Sequence, residues 1–595
     1  MTRSAAQATS NSYSLSSATF QAPKISVVAG IQRLLPVMEE EYGIACQALI
    51  AVIITSVSGL LGPMIIGRTV DIYMRNRDFD GVWKSALVLL GIYMVGLCSS
   101  YFQTQRMGSV GRRVLFNLRN ALFTKLQALP VAFFNQNKSG DLISRINNDT
   151  DKLNQFFSQA LVQFAGNLFF MTGAAIFLVS LNPRLGIAAL LPALGILIVT
   201  QVISPWVKRK NVRNLQSVGS MSAEIQESLN NFKVIVAFNR TDYFRKKFNE
   251  ANEQNFATAM ESGMASNIFM PIYGLSHNVA QIVVIGYGIH MIGTGDLRVG
   301  LLIGFLLYVN SFYMPLRQLA AMWAQLQLAL AAVDRISEVL ALQPNMPMIA
   351  ATASGSNAIL EFQNVNFGYR EGQSILRNSS FTLEQGKTYA LVGPTGGGKT
   401  TTASLMARLY DPGNGVVLLS GKDIRAYSPE ERTKKIGFIL QEPFLFTGTV
   451  RDNIVYGNDR YRDYPSEQVV EVLKQNNLGE LLIRFEQGLD TKVTSSGDSI
   501  SLGQKQLIAF MRAALRNPEL LILDEATANI DTMTEQLLQG ILDKLPAATT
   551  KVIIAHRLNT IANADEIFFV NAGEITPAGS MEHAVDMLLR GKRES

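Results

Sequence analysis

The stretch Gly393-Pro-Thr-Gly-Gly-Gly398-Lys399-Thr400 decides the fold of the C-terminal half of this 595-residue chain. It fits the pattern G-x-x-x-x-G-K-[ST], whose glycines allow backbone N–H groups to close around phosphate oxygens. The apolar run Thr388–Val392 before it predicts a strand, and a helix is predicted from Thr401 onward. The N-terminus of that helix adds a positive partial charge to the phosphate site. The pattern therefore predicts a phosphate-binding loop in an α/β domain.

Two side chains of this loop have specific expected roles. Lys399 is expected to neutralise the terminal phosphates, and the hydroxyl of Thr400 to ligate Mg²⁺. A glycine-rich turn that matches by chance is the alternative, and the flanking strand and helix argue against it. The residues expected to surround the phosphates are Gly393, Pro394, Thr395, Gly396, Gly397, Gly398, Lys399, Thr400 and Thr401.

Further along the chain, the apolar run that begins at Leu520 ends in two carboxylates, Asp524 and Glu525. Such a strand is typical of a parallel sheet, where residues at the carboxyl end of the strand face the ligand. We expect Asp524 to hold Mg²⁺ through water and Glu525 to polarise the attacking water. Carboxylates that cap a helix are the alternative. His556 follows another predicted strand, Lys551–Ala555. A single histidine is compatible with either a catalytic or a purely structural role.

The order of these motifs resembles the nucleotide-binding domain of ATP-binding-cassette (ABC) transporters. Leu440-Gln-Glu-Pro lies between the loop and the carboxylates, as does Ile500-Ser-Leu-Gly-Gln504, which resembles the signature L-S-G-G-Q; Ala528-Asn-Ile-Asp531 resembles the D-loop. The resemblance implies ATP and Mg²⁺ as ligands, with the adenine stacked on Tyr369. It further implies that His556 senses the γ-phosphate and that Gln441 contacts Mg²⁺ and takes part in catalysis. Nucleotide contacts are implied for Ser501, Gly503, Gln504 and Asp531.

The N-terminal half has the composition of a membrane domain. Hydrophobic residues make up 48% of the chain and charged residues only 17%, and a spanning helix needs about 20 apolar residues. Residues 104–158 hold eight Lys and Arg and residues 206–258 hold nine, which places both loops and both chain ends in the cytoplasm. The predicted spans are 43–67, 85–105, 159–183, 185–207, 265–292 and 299–320.

These observations predict a multi-domain membrane protein. An all-α domain of six transmembrane helices, with long cytoplasmic extensions, precedes an α/β P-loop ATPase domain that carries a helical subdomain. Val27–Val37 has an amphipathic pattern suited to the membrane interface, and no apolar signal sequence follows the start of the chain. The expected domains are a disordered tail at 1–28, the transmembrane domain at 29–340, a linker at 341–357 and the nucleotide-binding domain at 358–595.

The stretch Phe133–Arg145 resembles the first coupling region of ABC exporters, so the chain resembles an exporter half-transporter along residues 29–590. That resemblance implies ATP-driven export of hydrophobic or amphipathic compounds by alternating access, as half of a dimer in the cytoplasmic membrane. Leu502 replaces a glycine of the signature, and Ser495 stands where many exporters carry a glutamate. Both departures favour a second, different half-transporter chain as the partner, together with membrane lipids and a hydrophobic small molecule. No nucleic-acid partner is expected.

The sequence leaves some alternative functions open and excludes others. A homodimeric lipid flippase and an ATP-binding regulatory protein that does not pump remain alternatives, and an importer usually keeps its spans and ATPase on separate chains. A soluble DNA-repair protein with the same signature is excluded by the six spans. Polar side chains in spans 5 and 6 are candidates for substrate contact or for interhelical hydrogen bonds. They are Tyr273, His277, Asn278, Gln281, Tyr287, His290, Tyr308, Asn310 and Tyr313.

Overall fold

A computed structural model describes residues 13, 15, 41–343, 346–350, 358–370, 372–494, 500–524, 532–554 and 563–591. The chain divides into two compact units. The helical unit comprises Ser16–Leu126 and Gly140–Ala341, and the α/β unit comprises Met1–Leu15, Gln127–Ser139 and Leu342–Ser595.

Long apolar helices build the helical unit. The helices between residues 41 and 341 are α1 Tyr42–Thr69, α2 Phe79–Ala128, α3 Val131–Gln136, α4 Ser139–Ser144, α5 Thr150–Gln155, α6 Leu161–Leu181, α7 Pro183–Asn230, α8 Phe232–Ala237, α9 Thr241–Asn267, α10 Phe269–Gly293 and α11 Val299–Ala341. Of these helices, α3 belongs to the α/β unit. Single π-helical turns at Val70–Met74, Arg145–Asp149 and Phe156–Ala160 interrupt this series.

In the described part of the chain, six helical stretches are long and apolar enough to cross a membrane. Helix α2 has 50 residues and α7 has 48, more than twice the length that a bilayer requires, so the predicted extensions are confirmed. Helix α7 has residues typical of a helix start. Asn182 accepts a hydrogen bond from the Leu185 N–H at 3.1 Å, and Pro183 occupies the first helical position.

The α/β unit contains two main sheets. Its strands are β1 Leu360–Phe367, β2 Leu376–Leu383, β3 Thr388–Val392, β4 Asn414–Leu419, β5 Lys422–Asp423, β6 Ile436–Ile439, β7 Gly448–Thr449, β8 Lys492–Val493, β9 Leu520–Asp524, β10 Thr550–Ile554, β11 Glu566–Asn571 and β12 Glu574–Pro577. Its α-helices after residue 358 are α12 Lys399–Met406, α13 Pro429–Lys435, α14 Val450–Ile454, α15 Ser466–Gln475, α16 Leu502–Ala514, α17 Thr532–Leu542 and α18 Met581–Gly591, with 3₁₀ turns at Ile424–Ala426, Gly479–Arg484 and Gly488–Asp490. The predicted fold class is confirmed.

The larger sheet positions the functional residues. Its order is β12-β11-β3-β10-β9-β6, and β11, β3, β10, β9 and β6 are mutually parallel. Strands β3 and β9 are apolar and buried along nearly their whole length, as a strand covered on both faces requires. Because parallel strands end at the same edge, the residues that follow β3 and β6 lie at the edge where Asp524, the last residue of β9, also lies. The smaller sheet, β2-β1-β4-β5, is antiparallel.

Part of the predicted N-terminal tail has a defined place. Tyr13 is only 5% exposed and, like Leu15, contacts the α3 segment, although both fall in the stretch 1–28 that we predicted to be disordered. The rest of that stretch, and the amphipathic stretch Val27–Val37, lie outside the described residues. Of the predicted linker 341–357, Ala341 is the last residue of α11, and the described residues 342–343 and 346–350 form neither helix nor strand.

Candidate nucleotide-binding site

The predicted phosphate loop joins β3 to α12 at the carboxyl edge of the larger sheet. Gly398 directly precedes the helix with φ +116°, a conformation that side chains rarely adopt. A Cβ atom on Gly397 would lie 2.5 Å from the backbone oxygen of Val570 in β11. The loop therefore packs too closely on the neighbouring strand to accept a larger residue at Gly397.

Lys399 lies within the curve of this loop and is 6% exposed. Its Nζ donates to the carbonyl oxygens of Gly393 at 2.9 Å and Pro394 at 3.0 Å. A buried ammonium group requires partners, and these carbonyls fix its position at the loop. The positive charge and the start of α12 lie together, which is the arrangement that binds a polyphosphate.

Thr400 and Asp524 meet across the site. The Thr400 hydroxyl donates to a carboxylate oxygen of Asp524 at 3.3 Å, and Asp524 is 2% exposed at the end of β9. A hydroxyl and a carboxylate are hard oxygen ligands of the kind Mg²⁺ prefers. This pair therefore fits the expected metal. Gln441 follows β6, the strand next to β9 in the sheet, and its side chain is exposed.

An aromatic cluster borders the loop. The Tyr369 ring packs edge-on against Phe367 and Tyr410, with both centroid distances 5.1 Å. The hydroxyl of Tyr369 lies 3.1 Å from the Thr401 hydroxyl in the first turn of α12. Sequence analysis predicted an adenine contact for Tyr369, and the structure places it beside the phosphate loop. Burial raises the pKa of the Tyr410 phenol.

The signature residues form the exposed start of α16. Ser501 Oγ accepts from the Gln504 N–H at 3.2 Å, and Gln504 Oε1 accepts from the Ser501 N–H at 2.9 Å, which is a capping box. Gln504 Nε2 donates to the Arg484 carbonyl at 2.6 Å. Gly503 lies in the first turn, and the Leu502 side chain is 37% exposed. These contacts make Gln504 a residue that positions the helix start.

Three predicted site residues, Glu525, Asp531 and His556, lie outside the described residues. Along the chain, Glu525 directly follows Asp524, and His556 comes two residues after the end of β10. Their roles stay predictions.

In the helical unit, two of the polar candidates are bound between helices. Tyr308 Oη donates to the Leu60 carbonyl at 2.7 Å, and Tyr313 Oη donates to the Ala189 carbonyl at 3.0 Å. Both tyrosines are buried, at 0% and 3% exposure, so these hydrogen bonds fit the interhelical alternative. Tyr287 is 36% exposed, and its ring is stacked on that of His290 with the ring centroids 6.4 Å apart.

The contact between Asn135 and Tyr410 has no signal in the sequence. Asn135 Nδ2 donates to Tyr410 Oη at 2.7 Å, across a separation of 275 residues. A tyrosine just after a helix has no local pattern that distinguishes it, so no sequence signal pointed to this contact.

Comparison with known proteins agrees with the geometry of both units. Residues 45–316 match the family described as ABC transporter transmembrane region, and residues 376–528 match the family described as ABC transporter. An uncharacterized ABC transporter ATP-binding protein of Bacillus subtilis, YfiC, is 32% identical, with 93% of this chain and 92% of that protein covered.

Two further relatives have more specific names. A fatty acid ABC transporter ATP-binding/permease protein of Mycobacterium bovis is 32% identical, with 86% of this chain and 81% of that protein covered. A probable multidrug resistance ABC transporter ATP-binding/permease protein of Bacillus subtilis, YheH, is 30% identical, with 84% of this chain and 74% of that protein covered.

Proposed function

This chain belongs to the ABC transporter family as an exporter-type half-transporter, and on that premise we propose that it exports hydrophobic or amphipathic compounds as one half of a dimer. It is a multi-pass membrane protein whose ATPase activity is coupled to transport. The observation that carries the proposal is the phosphate loop, with its buried Lys399 and the Thr400–Asp524 pair, in one chain with six spanning helices.

For hydrolysis, Lys399 and the backbone N–H groups of the loop hold the phosphates, while Tyr369 holds the adenine. Thr400, Gln441 and Asp524 would hold Mg²⁺, which supplies charge neutralisation at the phosphate oxygens when bound. Glu525 accepts a proton from the attacking water, and His556 contacts the γ-phosphate. Each of these assignments is part of the proposal.

A dimer is supported by the exposed start of α16. In the family, a second chain presents its signature to this chain's phosphate loop, and the exposed Ser501 and Leu502 leave such a surface accessible. An exposed aromatic cluster adds support. Phe444, Phe446 and Tyr456 in the α/β unit are exposed, and the Phe446 ring contacts the other two. Aromatic residues are enriched at protein interfaces.

A different half-transporter is our preferred partner, because Leu502 alters the signature of a chain that keeps Glu525. The Lys- and Arg-rich loops support a cytoplasmic position for the ATPase and both chain ends, with the spans in the cytoplasmic membrane. The names of the fatty acid and multidrug resistance relatives support a lipid-like or drug-like substrate.

The test is Glu525→Gln in the purified, membrane-reconstituted complex. Loss of the general base should lower ATP turnover by about 10²–10⁴-fold while binding of a fluorescent ATP analogue stays intact. Glu519→Gln, one residue before β9, is the matched control and should keep turnover near that of the unmodified protein. Turnover of Glu525→Gln within threefold of the unmodified protein would show that another residue is the base.

A further inference from the structure

A short surface on the first cytoplasmic loop holds a second segment of the same chain. We define this docking surface as residues 130–138, which include α3. The backbone N–H of Tyr13 donates to Gln136 Oε1 at 2.7 Å, and the Tyr13 hydroxyl donates to the Gln343 carbonyl at 3.3 Å. All of these residues belong to the α/β unit.

Asn137 binds the backbone of the same segment through both ends of its amide. Its Nδ2 donates to the Tyr13 carbonyl at 2.9 Å, and its Oδ1 accepts from the Leu15 N–H at 3.0 Å. The carbonyl of one residue and the N–H two positions later face the same side in an extended chain, so one side-chain amide can satisfy both. Asn137 thus pairs with one backbone carbonyl and one backbone N–H of the segment, as a neighbouring strand would.

The Tyr13 side chain anchors this contact. Its ring lies edge-on to Phe133 at a centroid distance of 6.3 Å, and the two residues are 5% and 0% exposed. A buried aromatic ring combined with paired backbone groups is typical of specific peptide docking rather than of a nonspecific surface contact.

Asn135, which also belongs to the docking surface, connects this surface to the candidate nucleotide site. Asn135 donates to the Tyr410 hydroxyl at 2.7 Å, and the Tyr410 ring contacts Tyr369 at a centroid distance of 5.1 Å. Three consecutive residues, 135–137, therefore contact the aromatic cluster of the candidate nucleotide site and the N-terminal segment. The chain continues directly from this surface into α2 on one side and α4 on the other.

We propose that residues 130–138 are the docking surface for the chain's own N-terminal segment, centred on Tyr13, and that docking and nucleotide binding are coupled through Asn135 and Tyr410. The coupling rests on the proposed function, because it takes Tyr369 as the adenine contact. Coupling of two sites is reciprocal: if nucleotide shifts the contact of Tyr369 with Tyr410, it changes how firmly Tyr13 is held, and the reverse holds as well.

Amide hydrogen exchange on the full-length protein in lipid nanodiscs tests both parts. The amides of Tyr13 and Leu15 should exchange about tenfold more slowly than an unstructured peptide, because each donates to a side chain. Asn137→Ala should remove the protection of Leu15. Tyr13→Ala should remove protection from the whole segment, and Tyr13→Phe, which keeps the ring, should retain most of it. Exchange at the unstructured rate in the unmodified protein would overturn the docking.

The coupling is tested by repeating the measurement with a fluorescent ATP analogue at a concentration shown by titration to saturate the site. Protection of Leu15 should change at least threefold on nucleotide binding. Asn135→Ala removes the donor to the Tyr410 hydroxyl and leaves the aromatic cluster intact, so it should bind the analogue yet lose that change. Bound analogue with unchanged protection in the unmodified protein overturns the coupling. Failure of the analogue to bind overturns the proposed function and the coupling with it, while the nucleotide-free measurement still decides the docking.

Discussion

At the scale of single residues, the candidate site depends on side chains that would be costly to bury without partners. Lys399 is held by two backbone carbonyls at 2.9 and 3.0 Å, and Asp524 by the Thr400 hydroxyl. These contacts give each charged or polar group a fixed position before any ligand arrives. Preorganised groups of this kind favour the charge distribution of the reacting phosphates without rearrangement during the reaction.

Tyr369→Ala should raise the KM for ATP while maximal turnover changes little. Stacking of a base on an aromatic ring contributes about 1–3 kcal/mol, which corresponds to a rise of about 5- to 150-fold, and the ring is remote from the reacting phosphorus. Tyr369→Phe loses only the contact with Thr401 and should remain near the unmodified protein. Steady-state ATPase kinetics measure both variants, and a large fall in turnover at saturating ATP would contradict an adenine contact.

Gly397→Ala should weaken nucleotide binding at least tenfold, because its Cβ would lie 2.5 Å from the Val570 carbonyl and the loop would have to move. Gly540→Ala in α17 is the matched control. It meets no atom within 4 Å, and a helical Gly→Ala change stabilises a helix by about 0.5–1 kcal/mol. Titration with an ATP analogue measures the first effect and thermal unfolding the second. Equal affinity in the two variants would contradict the close packing of the loop.

At the scale of elements, the π-helical turn Arg145–Asp149 attaches the α4–α5 segment to the C-terminal part of α11. Arg145 is 1% exposed and pairs with Asp141 at 3.0 Å and Glu338 at 2.8 Å. Arg335 of α11 also forms an ion pair with Asp141, at 2.9 Å. The turn directs the Arg145 side chain into the packed interior, where its positive charge pairs with two carboxylates.

Arg145→Met should destabilise the protein by about 1–3 kcal/mol, because the buried guanidinium loses its pairs with Asp141 and Glu338 and its hydrogen bond to the Arg335 carbonyl, while Asp141 keeps Arg335. Arg119→Met is the matched control, since the Arg119–Asp151 pair is 38% and 51% exposed and pairs of that kind contribute about 0–1 kcal/mol. Thermal unfolding of the two purified variants measures the difference. Similar melting temperatures would mean that water, rather than protein, surrounds Arg145.

At the scale of the whole molecule, the contribution of Leu502 to ATP turnover depends on whether the partner is a different chain or a second copy of this one. If the partner is a different half-transporter, Leu502 faces the partner's weaker site, so Leu502→Gly should leave ATP turnover within about twofold. In a homodimer the same leucine faces both sites, and the substitution should change turnover severalfold, because glycine permits closer approach of the backbone. Ser466→Gly, at the half-buried start of α15, controls for a general effect of glycine at a helix start.

The pairing prediction also has a simple biochemical form. We expect low ATPase activity from this chain purified alone and higher activity after co-expression with a second half-transporter. Native mass of the active particle identifies one or two kinds of chain. A robust ATPase from a two-fold symmetric dimer of this chain would overturn the preferred heterodimer and leave the assigned site residues in place.

The sequence by itself determined the features that depend on neighbouring residues. Strand Thr388–Val392, the loop through Lys399 and the helix after it follow from local pattern, as do the long apolar helices, because backbone conformation and membrane insertion respond to short stretches of chain. The structure adds a capping box between Ser501 and Gln504, which is local as well, because the two residues are three positions apart.

Only the tertiary structure decided which distant residues meet. Asn135 and Tyr410 are 275 positions apart, Tyr308 and Leu60 are 248 apart, and Tyr13 reaches Gln136 across 123. Such contacts depend on how whole elements pack, and a polar side chain has the same composition and local pattern whether it binds a ligand or another helix. For that reason the sequence predicted the phosphate site, while the fate of Tyr308 and Tyr313 and the docking of Tyr13 came from the packing alone.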